Sequence, residues 1–167
     1  KQFKGNEHTA FGSALHTVCE VIVQDYNENK KSKDLENLFE AEFLQNLQKI
    51  KSSSEIEFSA DLLSSMRKQG KHLIQFILPA LKKHFGNFEM VSVEEQIYEI
   101  IENKNIDKKF KGFIDLIIYT PDTKKYHVID WKTCSWGWDS RKKTDKMITY
   151  QLSLYKHFWA KKHGKNI

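Results

Sequence analysis

Residues 112–133 read GFIDLIIYTPDTKKYHVIDWKT. Two runs rich in β-branched and aromatic residues flank Thr120-Pro121-Asp122-Thr123-Lys124, a stretch of strong turn formers, so the segment predicts an antiparallel hairpin. With the turn centred between Asp122 and Thr123, facing residues have numbers that sum to 245, and Asp115 falls directly opposite Asp130. Facing residues hold their Cβ atoms about 4.5–5.5 Å apart on one side of a sheet. Period two puts Lys132 on that side too, with Phe113, Ile117, Tyr119, Tyr126 and Val128. The other side carries Ile114, Leu116, Ile118, Ile129 and Trp131. Both sides are mostly apolar, so both expect cover.

Two carboxylates and an amine under cover are costly unless a cation or mutual pairing compensates. Close carboxylates oppose each other's ionisation, whereas a divalent cation restores both charges and turns them into oxygen ligands. An oxygen-rich set suits Mg2+ or Mn2+. Lys132 is placed to orient an attacking water or to neutralise charge developing on a phosphate. The plain alternative is a surface ion pair in which Lys132 balances Asp130, since Asp-x-Lys is common. Gly-x-x-Asp in opposing register on the preceding strand weakens that alternative, because the aspartates would repel inside an apolar sheet.

Upstream of the hairpin the pattern is helical. A first helix, capped by Thr9 or Ser13, is expected to run to about Tyr26, with Leu15, Val18, Cys19, Ile22 and Tyr26 at helical spacing. Asn27 to Asp34 reads as a loop, and a second helix covers Leu35 to Ile50, ended by Ser52 to Ser54. A third spans Ser59 to Phe85, with a break expected near Pro79. From Phe88 onward the period changes to two: Met90 to Ile101, Phe110 to Tyr119 and Tyr126 to Trp131 read as strands, the first two separated by Asn103 to Asp107. A closing helix is expected from about Lys143 to Lys162. The 167 residues suit one domain, 1–87 mainly helical and 88–167 a strand meander with a closing helix, and the early stop after that helix reads as a fragment lacking C-terminal elements.

A hydrophobic fraction of 40% with 11 Phe, 6 Tyr and 4 Trp supplies a core, while 7 Gly and 2 Pro argue against disorder. The formal charge of +5 favours a polyanionic partner without establishing one. Cys19 and Cys134 form neither a disulfide framework nor a metal-binding pair, which fits an intracellular setting, cytoplasmic or nucleoid-associated if the source is bacterial or phage. No stretch has the length of a membrane span, and no membrane partner is expected.

These residues resemble the PD-(D/E)XK nuclease superfamily, in the branch of recombination helicase-nuclease domains, CRISPR-associated exonucleases and phage exonucleases. Phe11-Gly12-Ser13-Ala14-Leu15-His16 is similar to the first motif, Gly112-Phe113-Ile114-Asp115 to Gly-x-x-Asp, Asp130-Trp131-Lys132-Thr133 to Asp-x-Lys-Thr, and Gln151-Leu152-Ser153-Leu154-Tyr155 to Gln-x-x-x-Tyr. Each motif is short; their order and setting are specific. The resemblance implies an α/β, restriction-endonuclease-like core, with a central mixed sheet flanked by helices and a helical N-terminal half. It implies Asp115, Asp130 and Lys132 as catalytic, and His16, Asp115 and Asp130 as metal ligands. Gln151 and Tyr155 would support the site or touch DNA. An upstream glutamate also belongs to the pattern; Glu94 matches it better, with Ile97 at the expected offset, and Glu95 is its rival. Some relatives hold an iron-sulfur cluster on four cysteines; with two in this chain, none is expected.

The supporting residues also have physical readings of their own. Gly12 and His16 share a helix face, where a lone histidine is ordinarily structural. Gln151 and Tyr155 are one turn apart and would hydrogen-bond Lys132 or substrate phosphate, or else mark the wet edge of an amphipathic core. Trp136 and Trp138, followed by Arg141, Lys142, Lys143 and Lys146, combine stacking surfaces with positive charge and read as a nucleic-acid contact, the alternative being core tryptophans beside a solvated helix start. The expected function is divalent-metal-dependent hydrolysis of DNA, single-stranded or with a free end and exonucleolytic, alongside a helicase or recombination partner. The rival is a noncatalytic DNA-binding or assembly module; RNA is a third substrate the residues do not exclude.

Overall fold

The computed structural model describes residues 5–53, 57–101, 109–134 and 139–165. The chain divides into two compact units, Lys1–Gly86 and Asn87–Ile167.

The first unit is helical: α1 (Glu7–Asn27), α2 (Leu35–Ser53) and α3 (Ala60–Phe85). The cap of α1 is Asn6 rather than Thr9 or Ser13. Its side chain accepts from the Thr9 backbone amide at 3.1 Å, while Thr9 Oγ1 accepts from the Asn6 amide at 2.7 Å, a reciprocal capping box that satisfies two amides. Ser52 and Ser53 belong to the last turn of α2, their hydroxyls donating back to the carbonyls of Lys49 and Ile50; Ser54 lies outside the described residues. Ser59 caps α3, which continues through Pro79 to a Gly86 cap at φ 68°. The expected break is absent because packing of the stripe Met66, Ile74, Leu81 outweighs one lost backbone hydrogen bond. Phe11, Phe39 and Phe43 form the centre of this core, Phe11 edge-on to both and the other two stacked at 5.7 Å.

The second unit is an antiparallel meander, β1 (Glu89–Ile100), β2 (Lys109–Thr120) and β3 (Lys125–Ile129), followed by α4 (Ser140–Lys143) and α5 (Lys146–His163). Every pairing among the described strands is antiparallel, so a parallel member of a mixed sheet is not among the described residues. Asn103 to Asp107 also lie outside them. Facing pairs from Thr120↔Lys125 to Leu116↔Ile129 keep the sum of 245 throughout. β3 stops at Ile129, so Asp130, Trp131 and Lys132 form an irregular run and not a strand end. The single closing helix expected from Lys143 is two: Thr144 caps α4, and the Asp145 side chain accepts from the Met147 amide at 2.8 Å to start α5.

Cover on both sides of β2 holds from Ile114 to Ile118, all of them buried, while Phe113 is exposed. Phe110 stacks on Phe158 of α5 with ring centroids 4.6 Å apart, and Ile114 joins the same core. Past Asp115 the other parity serves that core: Ile117, with Val128 and Tyr126, whose ring lies 5.3 Å from Trp159. Ile114 and Ile117 therefore both join the core that α5 covers. On the neighbouring strand the pairing shifts between Met90 and Ser92, and Glu94 has a left-handed φ of 46°.

Candidate active site

Gly112 lies so close to α5 that a Cβ there would stand 2.6 Å from Tyr155 Cε1. Only glycine permits this approach, and the approach fixes α5 over the strand. Tyr155 is buried, and its hydroxyl accepts from Gln151 Nε2 at 3.0 Å. The same amide donates to Asp130 Oδ1 at 3.2 Å. Asp130 Oδ2 in turn pairs with Lys132 Nζ at 2.7 Å; the Asp130 side chain is 6% exposed and that of Lys132 37%. Three short motifs are thus one physical chain, from Gly112 through Tyr155 and Gln151 to Asp130 and Lys132. Gln151 thus reaches Asp130 and Tyr155 with its amide donor, and Asp130 links it to Lys132.

Asp115, also buried, accepts from the Trp131 backbone amide at 2.6 Å. The hairpin pairs end at Leu116↔Ile129, and this bond ties Asp115 to the run that carries Asp130 just past the end of β3. On the other side, β1 and β2 pair Val93 with Leu116 and Glu95 with Ile114, which leaves Glu94 and Asp115 between these two pairs. A carboxylate oxygen of Glu94 lies within 4.8 Å of one of Asp115. Two oxygens each bound to a small divalent cation at about 2.1 Å stand no more than about 4.2 Å apart. A separation within 4.8 Å is of that order, and the hard oxygen donors suit such an ion.

Geometry separates the two rival glutamates. The Glu95 carboxylate accepts from Ser92 Oγ at 2.6 Å, Trp159 Nε1 at 2.8 Å and Lys162 Nζ at 2.8 Å, and meets His163 Nε2 at 2.6 Å. Burial raises its pKa, but the hydrogen bonds from Lys162, Ser92, His163 and Trp159 outweigh that and hold it at about 2. Glu95 is a clamp between β1 and α5, and its oxygens are committed. Glu94 is exposed and aimed by its unusual backbone.

His16 is half-buried on α1 of the first unit, between the core residues Leu15 and Val18. Arg141, Lys142 and Lys143 form α4, and Lys146 begins α5; all but Lys142 are exposed. Trp136 and Trp138 lie outside the described residues. Sequence reading missed the Trp131 amide, since a backbone donor leaves no side-chain signal, and missed the Glu95 clamp, whose partners on α5 lie more than sixty residues away. No helix among the described residues is long and apolar enough to cross a membrane.

A family model described as the PD-(D/E)XK nuclease superfamily matches residues 2–166, and so spans both units. No curated protein and no solved structure matches the chain.

Proposed function

The chain belongs to the PD-(D/E)XK nuclease superfamily, and on that premise we propose that it hydrolyses DNA phosphodiester bonds with Asp115, Asp130 and Lys132 at the centre of the reaction. The observation that carries this reading is the closeness of the Glu94 and Asp115 carboxylates, within 4.8 Å across β1 and β2, beside the Lys132–Asp130 pair. Like charges held this near, one of them buried, call for a cation. Asp115, Asp130 and Glu94 would hold Mg2+ or Mn2+ through oxygen, and the motif from Phe11 to His16 adds His16 as a further ligand. When bound, the cation supplies positive charge at the phosphate and promotes ionisation of water. Lys132, partly exposed and held by Asp130, directs its ammonium toward a non-bridging phosphate oxygen as charge accumulates there. Gln151 and Tyr155 position Asp130, and through it Lys132.

Exonucleolytic action, a free or single-stranded DNA end, a helicase or recombination partner and an intracellular location are the finer parts of the proposal, supported by the resemblance of the four motifs. Arg141, Lys142, Lys143 and Lys146, with Trp136 and Trp138, are its proposed DNA contacts.

The test compares the parent with Asp115→Ala and Lys132→Ala on labelled single- and double-stranded DNA in Mg2+, Mn2+ and EDTA. Metal-dependent cleavage in the parent alone is expected; equal cleavage in all three proteins ends the catalytic assignment. Covalently closed circles separate the modes, since an exonuclease leaves them intact. If calorimetry finds DNA binding without cation binding, the chain is the noncatalytic module instead.

A further inference from the structure

From the open face of the β1–β2 ladder we propose a platform for single-stranded DNA, on which bases stack against Tyr98 and Phe113 while Lys109 and Lys111 hold phosphates. The inference deepens the nuclease reading and rests on it for the identity of the polymer. The register pairs Gln96 with Phe113, Tyr98 with Lys111 and Ile100 with Lys109. Facing residues share a side of the sheet, so these six form one surface, and it is the side away from Gly112 and α5. All six are exposed. Tyr98 is 56%, Ile100 59% and Phe113 45% exposed, an unusual concentration of large apolar side chains on a strand pair that also packs a core.

Charge is interleaved with these rings. Lys109 Nζ lies 5.0 Å from the Tyr98 ring centre and Lys111 Nζ 5.9 Å from that of Phe113. An exposed ammonium over a ring face is weakly held, and the long lysine stem lets it swing aside to a phosphate while a base takes the ring. Flat rings with cations beside them match a chain that offers unpaired bases and phosphates in alternation, and no base sequence is required. A duplex hides its base faces and would meet only the lysines.

Position adds the second argument. Along this ladder the rungs run Ile100/Lys109, Tyr98/Lys111, Gln96/Phe113, and two residues further along each strand stand Glu94 and Asp115, whose carboxylate oxygens lie within 4.8 Å of each other. Successive rungs on one side are two residues apart, about 7 Å along the strand. A strand stacked on Phe113 therefore has its next linkages at the proposed cation-binding carboxylates, so the platform feeds the reaction centre.

The test is fluorescence anisotropy of the whole chain, in EDTA so that nothing is cut, with a labelled single-stranded oligonucleotide of about 12 nucleotides, a length such platforms cover, and the corresponding duplex. Replacing both Tyr98→Ala and Phe113→Ala should weaken single-strand binding about tenfold or more, with little change for the duplex, while Tyr98→Phe with Phe113→Tyr should bind as the parent does. Lys111→Gln should flatten the salt dependence of single-strand binding by about 0.7 in log–log slope. Parental single-strand affinity in the double alanine variant overturns the platform, as does an equal loss for both probes. Self-association of the parent that the double variant abolishes, with DNA binding unchanged, assigns the face to a second copy and also overturns it. Asp115→Ala keeps the two readings apart: it should bind the oligonucleotide normally in EDTA, and should fail to cut it in Mg2+ or Mn2+. Parental cutting by Asp115→Ala sinks the catalytic assignment while the platform is still decided by the binding data.

Discussion

Glu94 carries a φ of 46° inside a strand, a conformation that costs an ordinary side chain about 1–2 kcal/mol. Strain of this kind persists where the surroundings enforce it, often at a functional site. Glycine would relieve it, at the expense of about 0.5–1 kcal/mol of extra freedom in the unfolded chain. Glu94→Gly is therefore expected to leave thermal stability unchanged or raised while lowering metal-dependent cleavage; calorimetric melting and a nuclease assay on one preparation check both halves. Gly112 is the opposite case. Gly112→Ala places a methyl group against the buried Tyr155 ring, and overpacking of this type costs about 1–3 kcal/mol. Since the ring has no flexible end to yield, the displacement should reach Gln151 and Asp130. Urea denaturation should show the loss, and activity should fall further than stability alone explains. Gln151→Leu removes a donor from Asp130 without disturbing Gly112; supporting residues of this kind change metal affinity or rate by about 10–100-fold, so full activity in that variant would contradict the positioning role.

Among the elements, α5 depends on two unlike attachments to the sheet. At its middle the attachment is apolar, with Tyr155, Phe158 and Trp159 over Ile97, Ile114 and Ile117. At its end it is ionic, with Lys162 and His163 on Glu95. The folded pKa of Glu95 is depressed to about 2 from 4.5, so this carboxylate adds stability that is fully present above the unfolded value and is lost as pH falls toward 2. Melting temperature measured from pH 6 down to pH 2.5 should fall less steeply in Glu95→Gln than in the parent, although that variant starts lower at neutral pH. Identical acid profiles would mean the clamp contributes nothing. In the first unit the tight point is α3 on α2: a Cβ on Gly70 would lie 2.1 Å from Phe39 Cζ, and Phe39 is fully buried. Glu40 of α2 pairs with Lys71 at 2.6 Å and with Arg67, which limits any retreat of α3. Gly70→Ala is expected to destabilise the helical unit by more than the roughly 0.5–1 kcal/mol that an open helical site would gain from alanine, as urea titration monitored by far-UV circular dichroism would reveal.

For the whole molecule the relevant quantity is the formal charge of +5 on 167 residues. Binding to a polyanion releases counterions, with a log–log salt slope of about −0.7 per phosphate contacted on a single strand and −0.9 on a duplex. If DNA is the substrate, affinity measured in EDTA should fall steeply with added salt, in the manner of several phosphate contacts. A slope near zero would leave the positive charge without that role and tell against DNA as the partner.

Much of this was legible from local pattern. Period-two alternation and the turn at Pro121-Asp122 were enough to define the β2–β3 register, because pairing across a short hairpin is dictated by the turn and by the side chains beside it. The same is true of the helical front half, where apolar spacing marks each helix. Exact caps, the survival of α3 through Pro79 and the break before Asp145 lay beyond it, since they turn on which local hydrogen bond or packing contact prevails. So did the choice between Glu94 and Glu95. Adjacent in sequence and alike in chemistry, they are distinguished only by a left-handed backbone at one and by Trp159, Lys162 and His163 gathering on the other. Sequence alone marked which residues could bear the chemistry; tertiary structure decided the partners of Asp130 and Glu95 on α5, because these lie 21 to 68 residues further along the chain.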